Sequence, residues 1–164
     1  MAELELTRSR DDRRLYEVDG VGTMRLGGIF SRGATAEAGT AAWSFDRRGF
    51  WQTRMEATDA AGTLVGGFDP RRLKRGGPLR WGGRDFELRP ASRWKERYAL
   101  ADGQRELAVL DGRGWGKRPV KITIDDLGLV EPGLLLFAAF VVRGLAEDAS
   151  TAAGGASAAT ASAG

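Results

Sequence analysis

Large apolar residues recur at every second position in short runs over most of this chain, and the runs are cut by glycine. Phe86 and Leu88 alternate with Asp85, Glu87 and Arg89, and Val120, Ile122 and Ile124 with Lys121 and Thr123. A period of two is the period of a pleated strand with one apolar face, and Gly-containing turns between such runs mark antiparallel hairpins. Gly82-Gly83 and Asp102-Gly103 are the strongest turn pairs. Ten runs qualify: 15–18, 23–26, 41–45, 50–57, 63–68, 78–81, 84–89, 93–100, 105–110 and 119–124. The pattern predicts that Trp51, Thr53 and Met55 share one face, as do Trp94, Glu96, Tyr98 and Leu100. Residues 1–14, polar and ending in Arg13-Arg14, read as a flexible lead-in, and 31–39 as the longest loop.

The pattern then changes. Leu134 to Val142 contains no polar side chain. Pro132 suits a first helical turn, where its missing N–H would be unpaired anyway. Glu131 and Arg143 complement the two ends of a helix dipole, and Gly144 can close the helix in a left-handed conformation. The segment predicts a helix over 132–145 with no polar face, and such a helix must be surrounded. Ten short strands must also hide their edges, and closure does so. The expected fold is therefore mainly β: one domain over 15–146, an antiparallel barrel of about ten strands wrapped around a C-terminal hydrophobic helix. The competing arrangement lays the helix across the open end of a sandwich. Residues 147–164 are expected to be a disordered tail, since 150–164 holds only Ser, Thr, Ala and Gly.

Composition removes chemistry more than it adds any. The 164 residues include no cysteine and no histidine, so disulfides, thiolates and the commonest general base are absent. Ser44, Thr53 and Ser92 have no histidine partner, which excludes a serine triad. Asp125-Asp126 is followed by no calcium-ligand spacing, and Gly112, Gly114 and Gly116 precede a strand where a dinucleotide fingerprint needs a helix. The reading is a non-enzyme with no cofactor and no metal. The acidic start lacks a signal-peptide run, no stretch reaches the roughly 20 apolar residues of a membrane span, and the expected location is the cytoplasm, with peripheral membrane attachment open.

Charge is uneven. Residues 1–68 carry a net −1, residues 69–121 a net +8 and residues 122–164 a net −4. Two basic groups stand out in the middle block: Arg71, Arg72, Lys74 and Arg75, with Arg80 and Arg84 nearby in sequence, and Arg113, Lys117 and Arg118 with Lys121 around a Trp115 expected to be exposed. Such groups hold phosphates, or serve only as solvated loops.

Phe86-Glu87-Leu88-Arg89-Pro90-Ala91-Ser92-Arg93-Trp94, then Tyr98-Ala99-Leu100-Ala101-Asp102-Gly103, then the apolar helix from Pro132 to Leu145 resemble the tubby C-terminal-like superfamily. Within it the chain is similar to the small LURP-one-related and scramblase-like branch, over roughly residues 15–145. The resemblance implies a β-barrel around a central helix. It also implies a binding or scaffold role: tubby proteins bind phosphoinositides and scramblases act at membranes. The calcium-site and transmembrane features of scramblases are missing, and no site residue is carried over. The expected partner is an anionic membrane surface or another phosphate-bearing ligand. The alternative is a nucleic-acid or protein interaction module using the same basic face.

Overall fold

The alternation becomes twelve strands: β1 (Ala2–Arg8), β2 (Leu15–Val18), β3 (Gly22–Leu26), β4 (Ala34–Ala38), β5 (Ala41–Arg48), β6 (Arg54–Asp59), β7 (Leu64–Phe68), β8 (Gly77–Trp81), β9 (Arg84–Pro90), β10 (Arg97–Asp102), β11 (Arg105–Asp111) and β12 (Val120–Ile124). A single 3-10 turn, Leu127–Leu129, leads to the helix α1, Pro132–Ala161. The computed structural model describes residues 2–161 except 29–30, 50–53, 72–74, 93–94, 114 and 116–118, with side chains described as far as Ala152. Every strand pairs antiparallel with its neighbours in sequence, and β1 pairs with β12, so the sheet closes into a barrel without an edge.

Two strands exceed the ten expected from the sequence. In β1 the outward Glu3 and Glu5 gave the segment a polar composition, yet Leu6 is buried and pairs with Val120 on one side and Val18 on the other. Residues 2–8 are thus the closing strand of the barrel, not part of a flexible lead-in. In β4 the inward residues are Ala34 and Ala36, too small to register as an apolar face. Elsewhere the alternation holds. Phe86, Leu88, Val120, Ile122 and Ile124 are buried, and Gly82 and Gly83 both adopt the positive φ that their two-residue hairpin requires. Of the two predicted shared faces, Met55, Glu96, Tyr98 and Leu100 are buried, while Trp51, Thr53 and Trp94 lie outside the described residues.

The helix fills the barrel. Every residue from Gly133 to Val142 is buried, and α1 contacts β3, β4, β5, β7, β10 and β11, which stand on different sides of it. Phe137 and Phe140 pack against Phe45 at 5.2 and 5.5 Å between ring centres. Against β4 and β11 the wall offers Ala34, Ala36 and Ala108, small enough for a close approach. Outward positions carry Glu3, Glu5, Glu17, Arg25, Glu37, Asp46, Arg80 and Asp85, none of them buried. An apolar interior with a charged outer wall is the inverse of a bilayer-spanning barrel, and among the described residues no helix is long and apolar enough to cross a membrane.

The helix does not end at Gly144. It continues through the segment expected to be disordered, as far as Ala161. Alanine is the best helix former, which favours continuation, and Gly144 serves packing instead of capping. A Cβ there would lie 2.6 Å from Met55 Cε and 3.4 Å from Arg47 Cζ. Arg143 consequently sits mid-helix and does not complement a C-terminus.

Candidate anion-binding site

Strict antiparallel order sends the connections alternately to the two ends of the barrel. At the lower end, where the helix starts, the hairpin turns 19–21, 39–40, 60–63, 82–83 and 103–104 are short, and 125–131 leads into the helix. At the upper end, where the helix emerges, stand 9–14, 27–33, 49–53, 69–76, 91–96 and 112–119. The upper connections contain thirteen Lys or Arg against four Asp or Glu; the lower ones contain no Lys or Arg and four Asp or Glu. Residues 71–75 of the first basic group and 113–118 of the second belong to upper connections, and their charge adds to that of 9–14 and 91–96.

In the first group the described Arg71 and Arg75 are engaged with protein. Arg71, exposed, pairs with Glu87 at 2.6 Å. The Arg75 guanidinium donates to the carbonyls of Ser92 and Lys95 at 3.1 and 3.2 Å, pairs with the buried Glu96 at 2.9 Å and lies over the Tyr98 ring. Glu96 also accepts from the Tyr98 hydroxyl, and its carbonyl accepts from Gly112 N–H. Burial pushes the Tyr98 phenol above its ordinary value of 10.0. Arg75 therefore binds connection 69–76 to 91–96, and 91–96 is tied in turn to Gly112, so three of the six upper connections are linked by hydrogen bonds. Arg71, Arg75 and Arg89 line an open groove of about 740 Å³ beside β9. Arg84, grouped with them by sequence, begins β9 at the lower end and pairs with Asp102.

In the second group, Arg113 is exposed and lines a depression of about 660 Å³ beside the emerging helix, together with Trp115 and Arg143. Trp115 is half-buried, not exposed. It packs on Tyr16 at 5.0 Å between ring centres and donates from Nε1 to the Asp111 carbonyl. Lys121 lies outside this group, paired with Glu3 on the outer wall at 2.7 Å. Arg72, Lys74, Lys117 and Arg118 lie outside the described residues. The structure thus puts Arg71 with Arg75, and Arg113 with Arg143, in two separate recesses of one rim.

Sequence reasoning passed over the collar where the helix leaves the barrel. Arg47, near the end of β5, has a side chain only 8% exposed. It pairs with Asp148 at 2.7 Å and Glu147 at 3.3 Å, and its Nε has no hydrogen-bond partner among the described residues. Arg143 lies over the rings of Tyr16 and Trp115 at 5.7 and 5.3 Å and pairs with Glu147 at 3.1 Å. The available signal was Arg143 itself, the one charge following nine apolar helical residues. Among the described residues, no group of three or more Asp or Glu is placed to hold a metal ion. No family model, curated protein or solved structure matches this chain.

Proposed function

We propose that this barrel is a non-enzymatic binding domain of the tubby-like type, cytoplasmic, whose upper end takes anionic phospholipid headgroups. The observation that carries the reading is the separation of charge between the two ends: thirteen basic side chains against four acidic in the upper connections, none against four in the lower. Such a field orients the molecule toward an anionic surface and raises its encounter rate, and each basic residue held near a membrane surface contributes about 1 kcal/mol. Arg75, Glu96 and Gly112 tie three of the rim's six connections together before any ligand arrives. From Asp148 to Ala161 the helix runs on for about 20 Å at the upper end, so a membrane is met obliquely, by one flank of that end.

The test is sedimentation with phosphatidylcholine vesicles, with and without phosphatidylserine, at low and at physiological salt. Two variants reverse the rim charge, Arg71→Glu with Arg72→Glu and Lys74→Glu, and Arg113→Glu with Lys117→Glu and Arg118→Glu. Asp125→Lys with Asp126→Lys alters the lower end. At least one rim reversal should abolish binding to anionic vesicles, salt should weaken it, and the lower-end variant should bind at least as well as the parent. Absence of binding at low salt, or indifference to both reversals, overturns the reading. Tighter binding to duplex DNA than to vesicles would assign the same face to nucleic acid.

A further inference from the structure

The collar holds a feature that a flat charged rim does not need. A cavity of about 280 Å³ is lined by the apolar Leu26 and Phe140 and by the polar side chains of Ser31, Arg32, Arg47, Arg143 and Glu147. It is slightly smaller than pockets for drug-sized ligands, which run roughly 300–1,000 Å³, and so suits a small group. Two of its guanidiniums are fixed in advance: Arg47 by Asp148, and Arg143 by the rings of Tyr16 and Trp115. Both then converge on one carboxylate. Glu147 Oε2 lies 3.3 Å from Arg47 Nη1, and Oε1 lies 3.1 Å from Arg143 Nε. The Glu147 side chain is half exposed, while that of Arg47 is almost wholly buried. The anion at the centre of the pair is therefore the more exposed partner, and the two cations are the more buried ones.

We infer that this cavity is a phosphomonoester site, in which Glu147 occupies the place of the phosphate until a ligand displaces it. A phosphate offers more acceptor oxygens than a carboxylate and a charge approaching −2, so it can bridge Arg47 and Arg143 and still accept from Arg32 and the Ser31 hydroxyl. Glu147 needs only to rotate into solvent. Because the two arginines are already ordered, little side-chain entropy is lost on binding. The inference deepens the reading of the upper end by naming a headgroup class and a place for it, yet it rests on the collar geometry and not on the rim charge.

The ligand chemistry is shared by a free phosphomonoester and by a monoester lipid headgroup, and the arms of the test separate them. Calorimetric titration uses glycerol 3-phosphate, with glycerol as the neutral control. Sedimentation uses phosphatidylcholine vesicles carrying phosphatidic acid, a monoester, or phosphatidylserine, a diester. Glycerol 3-phosphate should bind and glycerol should not. Arg32→Gln, at an exposed position, should weaken binding about tenfold, and Arg143→Gln at least as much. Glu147→Gln should tighten it by about fivefold, whereas Asp11→Asn, the same change of charge elsewhere on the upper end, should leave it within about twofold. Preference for phosphatidic acid over phosphatidylserine, lost in Arg32→Gln, assigns the site to a lipid; binding of the soluble ester alone assigns it to a free metabolite. No binding of glycerol 3-phosphate and equal uptake by both anionic vesicles, unchanged in Arg32→Gln, overturns the pocket while leaving the rim reading intact. Tightening by Asp11→Asn equal to that by Glu147→Gln also overturns it.

Discussion

The two ends of the barrel solve the same problem, where the helix meets the mouth, with different materials. At the lower end Gly133 lies under Trp43 and Trp81, whose rings meet edge to face at 5.9 Å, and Trp81 Nε1 donates to Glu131 just before the helix. That mouth is shut by aromatic carbon, its turns are short and the charges within its connections are acidic; its exposed Leu64, Leu127 and Leu129 carry no charge either. At the upper end Gly144 meets Met55 and Arg47, and the contacts around it are ion pairs with Glu147 and Asp148. Aromatic closure is dry and fixed, whereas closure by ion pairs can be reopened by a competing anion. The helix fills the interior of this barrel, and at the upper mouth it is met by ion pairs, groups that exchange partners.

Both ends depend on one core. Phe137→Asp places an unpaired charge inside the barrel and should abolish folding, losing several kcal/mol, as read by circular dichroism and thermal melting. A folded variant with unchanged melting would mean that the helix does not fill the barrel, and the contrast between its two mouths would lose its basis.

A smaller effect separates the mouths directly. A Cβ on Gly133 would lie 2.4 Å from the Trp81 ring and 2.7 Å from that of Trp43; on Gly144 the nearest atom is the end of the flexible Met55 side chain, 2.6 Å away. Gly133→Ala should cost about 1–3 kcal/mol despite the better helix propensity of alanine, and Gly144→Ala distinctly less, because Met55 can turn aside. Paired denaturant titrations would show the order, and the reverse order would make the upper mouth the rigid one.

The smallest effect concerns the rim. Burial raises the Tyr98 phenol, so the folded chain holds that proton more tightly than the unfolded chain. The corresponding stability is complete below pH about 10, the unfolded value, and is lost as pH rises through the folded value. Tyr98→Phe should cost about 1 kcal/mol at neutral pH through the hydrogen bond to Glu96, and should flatten this alkaline decline. An unchanged alkaline slope would remove Tyr98 as its source.

Much of the fold was legible because burial and alternation are local signals. Strands β9 and β12 announce themselves through Phe86, Leu88, Val120, Ile122 and Ile124. Residues 2–8 and 34–38 did not, since their inward positions are few or filled by alanine, and only pairing with β12, β2, β3 and β5 makes strands of them. Gly144 shows the same limit: a helix-ending glycine and a glycine under a methionine look identical in sequence, and only the neighbour across the barrel distinguishes them.

The sequence by itself determined that the chain is a β-structure with one apolar helix that must be covered, because period-two alternation and a helix without a polar face both demand burial. That the sheet closes around the helix, and does not leave it across the end of a sandwich, was decided by the tertiary structure. The sequence also determined which residue types were present to meet a ligand: arginine and lysine in number, and neither histidine nor cysteine. Only the tertiary structure decided how those charges add. Arg13 and Arg14, Arg32, Arg71 and Arg113 are strangers along the chain, and the alternation of connections in an antiparallel barrel brings their connections to one mouth. Arg47, Arg143 and Glu147 come together for a still less local reason: the middle turns of the helix leave the barrel past the end of β5, and a buried guanidinium there must find its anion on whatever emerges beside it.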